Sequence, residues 1–205
     1  MILSTTNPQK DRIIEMIIFF ILFILTIFIC SIPFGFIFLA MLHNQDPRTS
    51  GSRNIGMSNV WRLGGATVGI LTLIGDLGKG YLCIWLAQDL PVFQLQILAI
   101  VALLSHCFSI FLSFQGGKGV ATSGGVILSL SPIIFGSLLA IWIFTLFLSK
   151  RPGISSLTTA IAIVPLTAVC QPAFIWLYLI MAIIVALRHK KNIETFLQQK
   201  DTLPN

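Results

Sequence analysis

The chain has 205 residues, of which 56% are hydrophobic and 10% charged, with a mean hydropathy of +0.93. Soluble domains run at about 45–50% apolar and about 25% charged, so a disordered chain and a soluble globular one are both excluded. The net charge of +6 reads as the basic loops of a membrane protein rather than as a nucleic-acid surface.

Apolar blocks cover residues 16–42, 66–87, 92–114, 120–148 and 154–187. They lack the alternation of barrel strands about ten residues long. The expectation is an all-α integral membrane protein, with residues 1–205 forming a single polytopic domain and no internal repeat. Lys10 and Arg12 precede an apolar run too long, and too poor in small residues, for a cleaved signal peptide. Residues 16–42 are interrupted by Ser31-Ile32-Pro33-Phe34-Gly35 and read as one long or kinked span. Residues 66–87 and 92–114 are the second and third, joined by the polar turn Gln88-Asp89-Leu90-Pro91.

The next two blocks hold 29 and 34 residues, awkward lengths when one span needs about 20. Basic residues resolve them. Arg48, Arg53 and Arg62, then Lys118, then Lys150 and Arg151, then Arg188, Lys190, Lys191 and Lys200 punctuate the chain. All can face the cytoplasm only if each intervening block crosses an even number of times. Residues 120–148 are therefore expected to turn near 129–132, and residues 154–187 near Gln171-Pro172. Seven spans follow, at about 16–42, 66–87, 92–114, 119–130, 132–148, 154–170 and 172–187. The N-terminus is outside and the C-terminus cytoplasmic. Spans of about 15 residues suit helices sheltered by neighbours or a locally thin bilayer. Cys30, Cys83, Cys107 and Cys170 lie inside apolar blocks without paired spacing, as packing residues rather than a disulfide or zinc framework.

The loops carry the chemistry. Residues 43–62 crowd hydroxyls, amides, guanidiniums and glycines. Glycine lets backbone N–H groups turn toward a ligand, and arginine grips phosphate oxygens in a two-pronged geometry. Polarity alone would equally suit a solvated loop, but Ser52, Asn54, Ser58, Asn59 and Arg62 cluster at near-helical spacing. Gly116-Gly117-Lys118-Gly119 feeds the start of the fourth span, where a helix N-terminus makes an anion site. By itself this loop could be a plain turn, and the spacing of a Walker P-loop is absent. His106 is an ionisable group at membrane depth, which makes it a candidate functional residue or a helix-bonded one. Asp76 and Lys79 are three apart on one helical face and are expected to form an ion pair.

In chain order the motifs are Ser31-Ile32-Pro33-Phe34-Gly35, then Asp46-x-Arg48-x-x-Gly51-Ser52-x-Asn54-Ile55-Gly56-x-x-Asn59-Val60-x-Arg62. Next come Asp76-x-x-Lys79-Gly80 and His106-x-Phe108, leading to Gly116-Gly117-Lys118-Gly119-Val120-Ala121-Thr122. Arg188-His189-x-x-Asn192-Ile193 closes the series. Their conjunction, from about Ser31 to Asn192, resembles the PlsY-type acyl-phosphate:glycerol-3-phosphate acyltransferases of bacteria. The resemblance implies a seven-span fold and transfer of an acyl group from acyl phosphate to the 1-hydroxyl of sn-glycerol 3-phosphate, giving lysophosphatidic acid and phosphate. It implies catalytic roles for Ser52, His106 and Lys118. Substrate and phosphate binding would fall to Asn54, Ser58, Asn59, Arg62, Gly116, Gly117, Gly119, Ser155, His189 and Asn192. Acyl phosphate is an activated mixed anhydride, so no cofactor and no metal are expected.

The implied partners are the two substrates, membrane lipid and the enzyme that makes acyl phosphate, with no nucleic acid. The implied place is the bacterial inner membrane with the site facing the cytoplasm. The sequence departs from the family at Arg53, where a second glycine is usual, at Met57-Ser58, usually Ala-Thr, and at Ser105 and Ser109, usually glycine and proline. No serine has an adjacent histidine and carboxylate, so direct transfer is expected rather than an acyl-enzyme. His106 or a substrate phosphate oxygen could take the proton. Two rivals are an acyl-CoA or acyl-carrier-protein enzyme and a phosphate-ester transporter. The first would commonly show His-x-x-x-x-Asp, which is absent here.

Overall fold

The computed structural model describes residues 8–194; Lys200, counted above among the basic residues, lies outside them. The first apolar run forms α1 (Pro8–Ser31) and α2 (Phe34–His43), broken at Ile32-Pro33. Proline offers no N–H and clashes with the preceding turn, so the helix stops there. The break frees the Ile32 carbonyl, which accepts a hydrogen bond from Lys79 Nζ at 2.8 Å.

α3 (Met57–Leu86) has 30 residues and a kink at Gly65, where φ is 80° and ψ is −174°. Its apolar part begins just past the kink, at the expected start of the second span. The two turns before the kink carry Ser58, Asn59 and Arg62, so these stand on a helix, not in the loop where sequence reading set them. α4 (Val92–Cys107) also differs from expectation. It ends well short of Phe114, and a single 3-10 turn follows at Ile110–Leu112. Ser113 and Phe114 take left-handed backbone at φ 51° and 64°. The apolar Phe111 and Phe114 extended the hydropathy signal, yet both are exposed.

The remaining blocks each divide in two. α5 (Val120–Leu130) and α6 (Pro132–Ser149) meet at Ser131, whose Oγ accepts from the Ile134 N–H at 3.3 Å and caps α6. α7 (Pro152–Cys170) ends at Gln171, and α8 (Ile175–Arg188) follows the 3-10 turn Pro172–Phe174. Among the described residues, five segments are long and apolar enough to cross a bilayer; Val120–Leu130 and Pro172–Arg188 are shorter apolar helices.

α3 packs against α2 and α5, α1 against α4, and α7 against both α6 and α8. On the α3–α5 seam a Cβ at Gly80 would strike the Thr122 carbonyl, and one at Gly125 would strike the Leu77 carbonyl. Missing side chains on both helices let the backbones touch, as in membrane-helix interfaces rich in small residues. That contact fixes where α5 starts. Ala99, Leu103, Val126 and Tyr178 lie in the shared core, where Cys30 and Cys83 face each other at 3.7 Å. Cys107 is buried beside them, while Cys170 is exposed. Outward-facing Phe20, Phe144, Ile161 and Trp176 give the bundle an apolar exterior, which water would not tolerate and lipid does.

One ion pair is sealed inside. Lys79 Nζ lies 2.8 Å from Asp76 Oδ1, with both side chains under 4% exposed, and His106 Nδ1 lies 3.5 Å from the same oxygen. Removing one partner strands the other charge, which typically costs about 3–5 kcal/mol. Asp76→Ala should therefore lower unfolding stability in detergent by about that amount. Adding Lys79→Met should recover much of the loss; equal instability in single and double variants would refute the pairing.

Candidate active site

The middle of the loop between α2 and α3 is gathered around the Asn59 side chain. Asn59 Oδ1 accepts from the Ser52 N–H at 2.8 Å, and Asn59 Nδ2 donates to the carbonyls of Pro47, Ser50 and Asn54 at 3.0, 3.2 and 3.0 Å. Arg62 Nη2 also donates to Asn59 Oδ1, at 3.4 Å. The Asn59 amide is thus committed to shaping the loop. At the loop's start Arg48 pairs with Asp46 at 2.7 Å and lies over the Phe36 ring. The Arg48 hydrogen bonds hold the Asp46 carboxyl below the usual carboxylate range. Arg53, the departure from the family glycine, takes φ 54°. The loop keeps the left-handed turn, at a steric cost of about 1–2 kcal/mol for a residue with a Cβ.

The glycine loop folds back on the end of α4. Gly116 N–H donates to the Cys107 carbonyl and Gly117 N–H to the His106 carbonyl, at 3.2 and 3.1 Å. From α8, Arg188 donates through Nε to the Gly117 carbonyl and through Nη2 to the Gly116 carbonyl, both at 3.0 Å, with its guanidinium over the Phe108 ring. His106 Nε2 abuts Gly117 so closely that a Cβ there would overlap it. With Nδ1 toward Asp76, the imidazole is 3% exposed and fixed on both sides. Of the departures, Ser109 holds this corner through its hydroxyl, whereas Ser105 offers only its backbone carbonyl, as a glycine would. Ser31 Oγ donates to the Ser105 carbonyl, and Ser109 Oγ donates to the Ser31 carbonyl.

Lys118 follows this clamp, and its Nζ donates to Asn192 Oδ1. Burial, with Arg62 and Arg188 nearby, pushes the Lys118 ammonium down to about 8. His189 is buried, and burial lowers its imidazole from the ordinary value. Its Nδ1 lies 2.8 Å from the Val185 carbonyl. A carbonyl only accepts, so Nδ1 carries the proton and Nε2 is left as an acceptor.

These groups enclose a cavity of about 480 Å³. Ser52, Asn54, Ser58, Asn59, Arg62, His106, Lys118, Gly119, His189 and Asn192 line its polar end. Gly116, Gly117 and Ser155 do not line it: the two glycines stand behind Lys118, and Ser155 Oγ donates to the Arg151 carbonyl at 3.4 Å. Ser156 lines it instead, accepting from Trp142 Nε1 at 3.3 Å. Sequence reading missed Ser156, Ser123 and Arg188. The α7 lining residues Gly153, Ser156, Ala160 and Ile163 recur at helical spacing, a stripe that places Ser155 off the cavity. Arg188 stood in the last motif, but nothing local shows that it reaches the glycine loop. The N-termini of α3, α5 and α7 all open on the cavity, through Met57, Val120 and Gly153. Helix N-termini and cations favour an anion there. The opposite end is lined by apolar side chains of α3, α5, α6, α7 and α8.

Comparisons with known proteins place the chain in a family. Residues 20–199 match the family model described as glycerol-3-phosphate acyltransferase. A glycerol-3-phosphate acyltransferase of Syntrophomonas wolfei is 37% identical over 177 residues, covering 84% of this chain and 90% of the relative. One from Geotalea daltonii is 41% identical over 167 residues, 80% of this chain and 86% of the relative. The fold matches the crystal structure of PlsY (YgiH), an integral membrane glycerol 3-phosphate acyltransferase, in its glycerol 3-phosphate form. The TM-score is 0.84 at 27% identity, over 88% of this chain and 92% of that one. The lysophosphatidic acid form gives 0.82 at 25% identity, with the same coverage. With a matching family model over most of its length and relatives this similar, the chain belongs to the glycerol-3-phosphate acyltransferase family.

Proposed function

We propose that this protein transfers an acyl group from acyl phosphate directly to the 1-hydroxyl of sn-glycerol 3-phosphate. The observation that carries the reading is the two-ended cavity, cationic and rich in N–H donors at one end and apolar at the other. It suits two phosphate groups meeting at the head of an acyl chain. The hydroxyl oxygen attacks the acyl carbonyl carbon, and the bond from that carbon to the phosphate oxygen breaks. Lysophosphatidic acid and inorganic phosphate form, with the hydroxyl proton taken by a phosphate oxygen. Positioning both substrates and stabilising developing negative charge are the large terms. Lys118, Arg62, the Ser52 hydroxyl and the α5 N-terminus supply the donors. Asn54, Ser58, His189 and Asn192 bind substrate, and Asn59 shapes their loop. His106, held between Asp76 and Gly117, is a positioning residue for Lys118.

Direct transfer has its own support. Among the described residues no histidine or carboxylate hydrogen-bonds the Ser52 hydroxyl, so an activated nucleophile is not built there. The anhydride is already activated, which makes a cofactor unnecessary. Seven spans, an outside N-terminus and a cytoplasmic C-terminus fit the breaks at Ser131 and Gln171 together with the positive loops. That orientation turns the site to the cytoplasm of a bacterial inner membrane, where the enzyme that makes acyl phosphate supplies it.

With purified protein, phosphate release from acyl phosphate should be negligible until glycerol 3-phosphate is added. Radiolabelled acyl phosphate alone should leave no covalent label. A label on Ser52 that acceptor discharges would overturn direct transfer.

Lys118 is expected to act as an ammonium. Because kcat/KM reports the free enzyme, it should fall as pH rises through about 8, where Lys118 loses its proton. Arg188→Gln removes a cation that lowers Lys118, so the alkaline limb should shift to higher pH while kcat drops from loosened glycine carbonyls. Lys118→Ala should lose roughly a hundredfold or more in kcat. A limb that stays put in Arg188→Gln would remove Lys118 from this role.

For topology, single cysteines at Ser131 or Gln171 in a cysteine-free background should react with an impermeant thiol reagent from outside intact cells. Labelling from the cytoplasmic side alone would sink the seven-span arrangement.

A further inference from the structure

The apolar part of the cavity ends on a floor. The lining residues farthest along each helix from the phosphate end are Leu77 on α3, Ile127 on α5, Phe135 on α6, Ile163 on α7 and Met181 on α8. Ile127, Ile163 and Met181 are buried, and Phe135 packs against the central core cluster. Ile127, Ile163 and Met181 belong to that central cluster, so the apolar part of the cavity runs down onto the packed core between α5, α6, α7 and α8.

Its depth follows from helix geometry. Eight residues separate Gly119 from Ile127, and eight separate His189 from Met181, or about 12 Å of helix at about 1.5 Å per residue. From Gly153 to Ile163 the helix rises about 15 Å. An extended alkyl chain advances about 1.3 Å per carbon, from C–C bonds near 1.5 Å in a staggered zigzag. The floor therefore accommodates about ten to twelve carbons, and a longer chain has to bend out between the helices.

Gly124 sits about 7.5 Å below Gly119, three residues above the Ile127 level. It lines the cavity without a side chain, and a Cβ built there meets Phe135 at 3.4 Å, an ordinary contact. The position is open in a helix that would accept a larger residue, and the space beside it is the groove itself.

We propose that the floor measures the acyl donor, with Gly124 and Phe135 as the residues that determine chain-length specificity. Gly124 keeps the groove open past its midpoint, and Phe135 closes it. The inference rests on the acyl-phosphate reading above.

The test uses the full chain in detergent and saturated acyl phosphates of about eight to eighteen carbons, with kcat/KM measured for each at fixed glycerol 3-phosphate. Each variant is compared with the unmodified protein on the same donor, so that micelle partitioning cancels. While a chain still fills the groove, each added methylene should raise kcat/KM by about threefold to fourfold. The gain should stop near ten to twelve carbons. In Gly124→Leu the stop should come about three to four carbons earlier, with the ratio of long to short donors falling at least about tenfold. In Phe135→Ala it should come later, by about three carbons. Turnover of the shortest donor shows that a variant is folded. Should Gly124→Leu not accumulate, Phe135→Ala decides alone, since it only removes atoms from a half-exposed site. Variants that scale every donor by one factor would overturn the gauge while leaving the reaction intact. Absence of phosphate release from any acyl phosphate in the unmodified protein would overturn the donor assignment, and the gauge with it.

Discussion

Irregular backbone at the edge of an apolar helix bundle survives only if its polar groups are matched. The Gly116–Gly119 loop meets that constraint, and the site depends on it. Its amides return to the carbonyls that end α4, and its carbonyls are taken by one arginine reaching across from α8. Both hydrogen bonds are charge-assisted and come from a rigid fork. A lysine in place of Arg188 could not hold two carbonyls in that geometry. Because the loop is pinned from both sides, Lys118 enters the cavity with its backbone fixed, and only its side chain is left to adapt.

The same arrangement gathers like charges around Lys118. Burial, with Arg62 and Arg188 nearby, lowers the Lys118 ammonium to about 8. A phosphate placed among these cations would offset their mutual repulsion. The internal Asp76–Lys79 pair does not spoil this field, being nearly neutral as a unit and tied to the broken helix at Ile32. It joins α3 to the α1–α2 break, gives His106 a polar neighbour on the side away from the glycine loop and, through Asp76, contributes to the cavity lining.

The departures from the family pattern have physical accommodations. Arg53 accepts left-handed backbone where glycine would be at ease, and the loop around it is over-determined by the Asn59 amide. Ser109, where proline is usual, ties the turn after α4 to the end of α1 by a side-chain hydrogen bond. A proline restricts the backbone by covalent geometry; a buried serine bonded to a carbonyl restricts it by attachment. Both yield a corner that holds the glycine loop in one place.

Much of the molecule was legible in the sequence. The Ser31–Gly35 interruption marked the kink in the first span, and the basic residues between apolar blocks located the breaks near Ser131 and Gln171 to within a few residues, whereas Pro165 sits inside α7 without ending it. The motif conjunction pointed to the family, since residue identities at fixed spacing are local. Hydropathy ran past the end of the α-helix: the apolar segment continues to Leu112, but Phe111 lies in a 3-10 turn and Phe114 beyond it. The long-range pairings were decided only by tertiary structure. Arg188 meets Gly116 and Gly117 across more than seventy residues, Lys118 meets Asn192, and α7 turns Ser156 rather than Ser155 to the cavity. A local pattern records which residues are apolar and where a helix can stop. Which hydrogen bond a buried side chain makes depends on how neighbouring helices rotate when their small residues pack, and that is settled only in the assembled bundle.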